Sequence, residues 1–157
     1  MPDSRDIQLL YAALNVADNS RKKGNLPFGC VLADEGGNIL LEGENTVITE
    51  QDNIRHCEIN LMHSLAGKFT RDYLSRCTIY ASTEPCPMCT GAVYWGGVGR
   101  VVYALSKEGF HSVAKTSDPN HFFDMPAREL LRFGGRKTEV IGPLLEEEAK
   151  ILYRKWI

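Results

Sequence analysis

Thr78-Ile-Tyr-Ala-Ser-Thr-Glu-Pro-Cys-Pro-Met-Cys89 is a short apolar strand that runs straight into the start of a helix. The β-branched and aromatic residues of 78–82 suit a buried strand. The helix follows Pro85 and runs to Tyr94 or Trp95, where Gly96 and Gly97 end it. Arg100-Val-Val-Tyr-Ala104 is another strand. The junction places Cys86 in the first turn after a strand, with Cys89 three positions on. That spacing suits a redox pair, half of a structural zinc knuckle, two core thiols or part of a catalytic metal site. By itself it does not choose among them.

The flanking sequence completes the order of elements. Ile7, Leu10, Tyr11, Leu14 and Ala17 recur at helical spacing and predict an amphipathic helix over 4–20, capped by Asp3 or Ser4. Two apolar runs around Glu35-Gly-Gly-Asn38 predict a hairpin with strands at 28–34 and 38–44. A polar stretch at 45–55 precedes a helix from His56 to Ala66, closed by Gly67. Residues 106–126 are poorly periodic and read as a loop with a short helix. A last strand at 139–142 leads to Pro143, which opens a helix with Leu145, Ala149, Leu152 and Trp156 on one face. The order α-β-β-α-β-α-β-(α)-β-α predicts one mixed sheet covered by helices on both sides. No repeat or linker divides the chain, so 1–157 reads as a single domain.

Composition narrows the function classes. At 157 residues, with 43% hydrophobic and 24% charged residues, the chain is long enough to bury a core. Lys plus Arg number 18 against 20 for Asp plus Glu, a formal charge of -2. That balance lacks the basic excess that gathers a polyanion, so RNA binding is disfavoured. No apolar run is long enough to span a bilayer and no signal peptide is visible. The odd count of five cysteines has no disulfide-framework pattern, and a reducing cytoplasm is the simpler setting. Cys30 and Cys77 fall in or beside strands and read as buried, inert thiols. His63 reads as a core or surface histidine.

His56-Cys57-Glu58 supplies what the cysteine pair lacks. An imidazole and two thiolates, from His56, Cys86 and Cys89, hold a tetrahedral Zn2+ and leave a fourth position for water, whose pKa the metal lowers. Glu58, two residues from the histidine, is better placed to carry protons than to close the metal site. A zinc-stabilised structural module with a closed site is the competing reading. A fourth protein ligand would mark it.

The combination His56-x-Glu58 with Pro85-Cys-x-x-Cys89 resembles the cytidine/deoxycytidylate deaminase superfamily. Within it the chain is most similar to the branch of guanine deaminases and tRNA adenosine deaminases. The resemblance extends from the N-terminal helix through Pro27–Ala33 and Asn45 to Val101. The Tyr94-Trp95 pair looks most like guanine deaminases. It implies a three-layer α/β/α sandwich with a five-stranded mixed sheet, assembled as a homodimer. It also implies zinc on His56, Cys86 and Cys89, with Glu58 as the proton shuttle. Asn45 then resembles the asparagine that hydrogen-bonds the base, and Phe28 and Trp95 resemble aromatics at the base pocket. Backbone groups at Cys57 and around Thr83 to Cys86 complete the contacts.

The activity expected is hydrolysis of a small-molecule nucleobase, guanine to xanthine plus ammonia. Deamination of tRNA adenosine, of cytosine or of another nucleobase or nucleoside is the alternative. Asp118 and Asp124 are both candidates for the acid that reads the purine, and His111, His121, Phe122 and Phe123 are candidates for a lid. The departures from the family pattern are Arg55 and Cys57, beside the histidine.

Overall fold

The computed structural model describes residues 2–114 and 116–156. Helix α1 spans Ser4–Lys22, two residues beyond the expected end. Its cap is Asp3, whose carboxylate accepts from the N–H groups of Arg5 and Asp6, while Asp6 reaches back to the Asp3 N–H in a capping box. The hairpin strands are β1, Gly29–Ala33, and β2, Ile39–Glu44. Asp34 Oδ1 accepts from the N–H groups of Gly36 and Asn38 and so shapes the turn.

A short helix α2, Val47–Glu50, occupies part of the stretch expected to be irregular. Then come α3, Cys57–Ser64, α4, Arg71–Leu74, β3, Thr78–Thr83, α5, Pro87–Gly96, and β4, Arg100–Leu105. The expected loop at 106–126 contains α6, Lys107–Ala114, and a 3₁₀ turn at Pro119–His121. Helix α7, Ala127–Leu131, and strand β5, Glu139–Ile141, precede α8, Glu146–Trp156.

Two differences from the sequence reading have physical causes. Helices α2, α4 and α7 have only four or five residues each, too few to develop a hydrophobic period. Helix α8 starts at Glu146 rather than Pro143 because Leu145 still donates its N–H to the Ala104 carbonyl at 3.2 Å, alongside β4. Leu145, Ala149 and Leu152 are buried on α8 as expected; the Trp156 side chain lies outside the described residues.

The sheet order is β2-β1-β3-β4-β5, with β1 antiparallel to β2 and β3, and β4 parallel to β3 and β5. Alternate residues of each central strand feed two cores. Val31, Ala33, Val102 and Ala104 face α1, α6 and α8, whereas Cys30, Leu32, Val101 and Tyr103 face α3, α5 and α7. This is the three-layer α/β/α sandwich. All of β3 is buried, as a central strand covered on both faces must be.

Gly43 allows α3 to lie close against the hairpin, since a Cβ there would come within 2.4 Å of the Cys57 carbonyl oxygen. At the far end of the sheet, the Asp6 carboxylate takes two parallel bonds from Arg100, at 2.7 and 2.8 Å, and one from Tyr80 Oη at 2.8 Å. Burial alone would raise the Asp6 carboxyl. The bonds from Arg100, Tyr80 and the Asp3 N–H outweigh it and hold the group at about 2.

Candidate active site

The parallel pair β3 and β4 carries α5 between its strands, and the start of α5 meets the start of α3 at the carboxyl end of β3. His56 is the N-cap of α3 and Cys86 the N-cap of α5. Cys89 follows within the first turn of α5. Two helix N-termini thus point partial positive charge at one spot, which favours thiolate and carboxylate there.

His56 Nδ1 lies 3.6 Å from Cys86 Sγ and 3.5 Å from Cys89 Sγ, and the three ligand atoms all lie within 4.8 Å of one another. Tetrahedral Zn2+ with ordinary bond lengths places a nitrogen and a sulfur ligand about 3.6 Å apart. The donor set and its spacing therefore fit zinc. Among the described residues this is the one group of three or more His, Cys, Asp and Glu side chains close enough to hold a metal. The hydrogen bond from Cys89, with a second from His56, pulls Cys86 down to about 4 against the effect of burial, and Cys89 moves up as the donor.

Glu58, in the first turn of α3, is buried beside this cluster. Burial, reinforced by the negative charge of Cys86, raises its carboxyl above the ordinary range. A carboxyl so placed takes up and returns protons more readily near neutrality than an exposed one.

A cavity of about 1130 Å³ opens over the cluster. Its wall includes Phe28, Asn45, His56, Glu58, Thr83 and Cys86. Asn45 is buried, and its Oδ1 accepts from the Val47 N–H at 3.1 Å. The amide orientation is thereby set, with Nδ2 the group left to donate to a ligand. Phe28 packs against Phe110 and Tyr153, with ring centroids 5.5 and 5.6 Å apart. Tyr153 of α8, fully buried, hydrogen-bonds Thr83 and Ser82 and so braces the end of β3 from behind.

Other expected residues fall elsewhere. Trp95 is 75% exposed and is not part of the cavity wall. It stands two residues after the buried Val93, which on a helix turns it about 200° away. The Cys57 side chain faces the core beside Cys30 rather than the cavity, and burial raises both thiols. The Cys57 N–H, in the first turn of α3, has no partner within the helix. Asp118 caps the 3₁₀ turn through Asn120 and is absent from the wall, whereas Asp124 belongs to it.

Two wall residues carried no sequence signal. Glu84 and Lys107 are buried charged side chains. Glu84 accepts from the Lys107 N–H at 3.4 Å and the Ala127 N–H at 2.9 Å. Lys107 Nζ donates to the carbonyls of Phe123 and Met125 at 3.1 and 2.6 Å. Only the position of Glu84, two residues before a metal ligand, could have drawn notice.

The model of the cytidine and deoxycytidylate deaminase zinc-binding region matches residues 3–105. The probable cytosine deaminase of Schizosaccharomyces pombe is 35% identical, over 96% of this chain and 91% of that one. The guanine deaminase of Bacillus subtilis is 40% identical, over 50% of this chain and 49% of that one. Among solved structures, a guanine deaminase from Nitrosomonas europaea superposes with a TM-score of 0.77 at 23% identity, covering 99% of this chain and 85% of that one.

Proposed function

The chain belongs to the cytidine and deoxycytidylate deaminase family, and from that premise we propose that it hydrolyses the amino group of a free nucleobase, guanine before others. The observation that carries the choice of guanine is the 40% identity to the Bacillus subtilis guanine deaminase. A cavity of about 1130 Å³ exceeds the usual small-molecule pocket of about 300–1,000 Å³, so its polar groups rather than its size must select the substrate.

His56, Cys86 and Cys89 would hold zinc, which would supply the Lewis acidity that makes water a nucleophile near neutral pH. Glu58 takes the proton released as water attacks the amino-bearing ring carbon, and gives it to the adjacent ring nitrogen. The same carboxyl then takes the second proton, from the hydroxyl now on that carbon, and hands it to the departing amine as the carbon–oxygen double bond forms and the carbon–nitrogen bond breaks. Base and water become the oxo-base and ammonia, with no net proton change. Phe28 offers an aromatic wall to a flat ring, and Asn45 Nδ2 donates to a ring carbonyl. The exposed rings of Trp95 and Phe133 support the homodimer expectation, which a sedimentation measurement tests.

Deamination of cytosine is the second reading, favoured by the Schizosaccharomyces pombe relative, which spans nearly the whole chain. Cytosine also carries an amino group and a ring carbonyl, so Asn45 serves both bases. The test is kcat/KM of zinc-loaded protein at low and physiological salt for guanine, cytosine, adenine, nucleosides and a tRNA anticodon stem-loop. Guanine conversion to xanthine with the highest value is expected, with no processing of the stem-loop. Cytosine turnover without guanine turnover installs the second reading. Adenosine-to-inosine conversion confined to the stem-loop overturns both.

A further inference from the structure

Among the described residues, no side chain of α8 belongs to the cavity wall. One α8 side chain nevertheless touches three residues that do. The ring of Tyr153 packs against Phe28, 5.6 Å between centroids, and meets Phe110 edge-on at 5.3 Å, while its hydroxyl hydrogen-bonds the Thr83 hydroxyl. Phe28, Thr83 and Phe110 come from separate segments: the residue before β1, the end of β3, and α6. Tyr153 is fully buried, so its oxygen stands in the apolar core beneath α1, α6 and α8. An oxygen there is costly unless it is hydrogen-bonded.

A phenol has one hydrogen. Burial pushes the Tyr153 hydroxyl up, so it keeps that hydrogen and donates it to Ser82 Oγ at 3.2 Å. The hydrogen between Tyr153 and Thr83 therefore belongs to Thr83, and the Thr83 side chain follows the position of the tyrosine oxygen. Ser82 Oγ also accepts from the Gly29 N–H at 3.1 Å. Next to Gly29, the Phe28 carbonyl accepts from the Asn45 N–H at 3.1 Å. Phe28 and Asn45, on either side of the base in the reaction proposed above, are thus joined to the end of β3 through the hydroxyls that meet at Tyr153.

We infer that Tyr153 is a positioning residue of the active site: its ring seats Phe28 and Phe110 and its hydroxyl seats Thr83, so that the docking of α8 sets the spacing of the cavity wall. It touches no substrate atom. This rests on the free-base reading proposed above and adds to it a residue outside the cavity on which the fit of the base depends. The metal ligands are held separately. Cys86 and Cys89 stand at the start of α5, where Thr90 Oγ1 ties the helix to the Pro85 carbonyl at 3.2 Å, and His56 caps α3. Loss of the Tyr153 hydroxyl therefore loosens the base and spares the metal site.

The test removes the oxygen alone. Tyr153→Phe keeps the ring against Phe28 and Phe110, and Thr83→Val removes the partner hydroxyl while keeping a branched side chain. kcat, KM for guanine and zinc content are measured well below the melting temperature for wild type, both single variants and the double variant, all zinc-loaded. Tyr153→Phe is expected to keep one zinc per chain and to raise KM about 3- to 10-fold, the cost of one hydrogen bond, with kcat changed less than about twofold. In the Thr83→Val background the same change is expected to add less than about twofold, since the two hydroxyls act as a unit. A tyrosine that only fills the core lowers the melting temperature and leaves KM of the folded protein unchanged. That result overturns the inference, as do fully additive losses in the double variant, a fall in kcat at constant KM, or loss of zinc.

A readout that needs no turnover comes from NMR of the zinc-loaded protein without substrate. In Tyr153→Phe the Thr83 methyl and the Asn45 N–H are expected to shift, and the His56 imidazole to stay in place. A Thr83 methyl and an Asn45 N–H left unmoved overturn the assignment whatever the substrate. If cytosine and not guanine is turned over, the guanine reading falls. The same cycle run with cytosine then decides for or against Tyr153 by the same criterion.

Discussion

Replacing Asp6 by Asn removes one charge from the network that joins α1 to the start of β4, at the end of the sheet away from the metal ligands. The Asp6 carboxyl is held at about 2 against an ordinary 3.8. At roughly 1.36 kcal/mol per pH unit, the difference amounts to about 2 kcal/mol of stability. Arg100 is 21% exposed and keeps a contact to Glu139 at 3.2 Å, so it is not stranded as a deeply buried cation would be. Asp6→Asn should therefore cost about 2 kcal/mol at pH 7, below the roughly 3–5 kcal/mol of a fully buried broken pair.

The sign of the pH dependence follows from the lowered pKa. The contribution is complete above the unfolded value near 3.8 and disappears as pH falls through about 2. Urea unfolding followed by tryptophan fluorescence, for both proteins across that range, measures it. Protonation of the metal ligands acts on both proteins alike, so the difference between them isolates Asp6. A difference that stays constant down to the lowest pH, or one below about 0.5 kcal/mol at pH 7, would refute the reasoning.

Metal analysis and X-ray absorption should find one zinc per chain with one nitrogen and two sulfur ligands from the protein; a third sulfur, from Cys57, contradicts the assignment. Glu58→Gln should keep its zinc and lose at least about 100-fold in kcat, measured as ammonia release, and near-normal turnover would move the proton transfer to another residue. Asn45→Ala should retain zinc and lower kcat/KM for the best base by about tenfold or more, since a buried donor to the substrate is removed. Glu84→Gln, which weakens the tie between β3 and residues 107 and 127, should raise KM before it affects zinc content. Unchanged KM in that variant would show that the tie does not shape the wall.

The metal centre was legible in the sequence because its ligands sit at helix starts that local signals mark: a proline after Cys86, and a polar stretch before His56. The sheet was legible because its central strands are short apolar runs between turn residues. Trp95 was misplaced because likeness to a motif gives a position along the helix but not the face it presents, and α5 turns that side chain to solvent. Asn45 lies on the cavity wall, and that its Oδ1 is already engaged by Val47 depends on a turn that no pattern encodes. Lys107 and Glu84 stayed hidden because buried charges are recognised by their partners. Those partners are backbone groups 16 to 43 residues away in sequence. The split of 106–126 between α6 and irregular backbone was only half visible, since a helix of eight residues, little more than two turns, does not stand out from a loop.

The division of the cavity has a consequence for how such enzymes diverge. The zinc ligands and Glu58 lie within residues 3–105, the span matched by the family model. The wall carrying Lys107, His111 and Asp124 begins just after it. The cavity wall is therefore shared: the matched span also supplies Phe28, Asn45 and Glu84, and the packing of Phe28 on Phe110 joins the two stretches as the bonds of Glu84 do. A change in the later stretch can reshape that side of the cavity while the metal ligands and Glu58 stay in place.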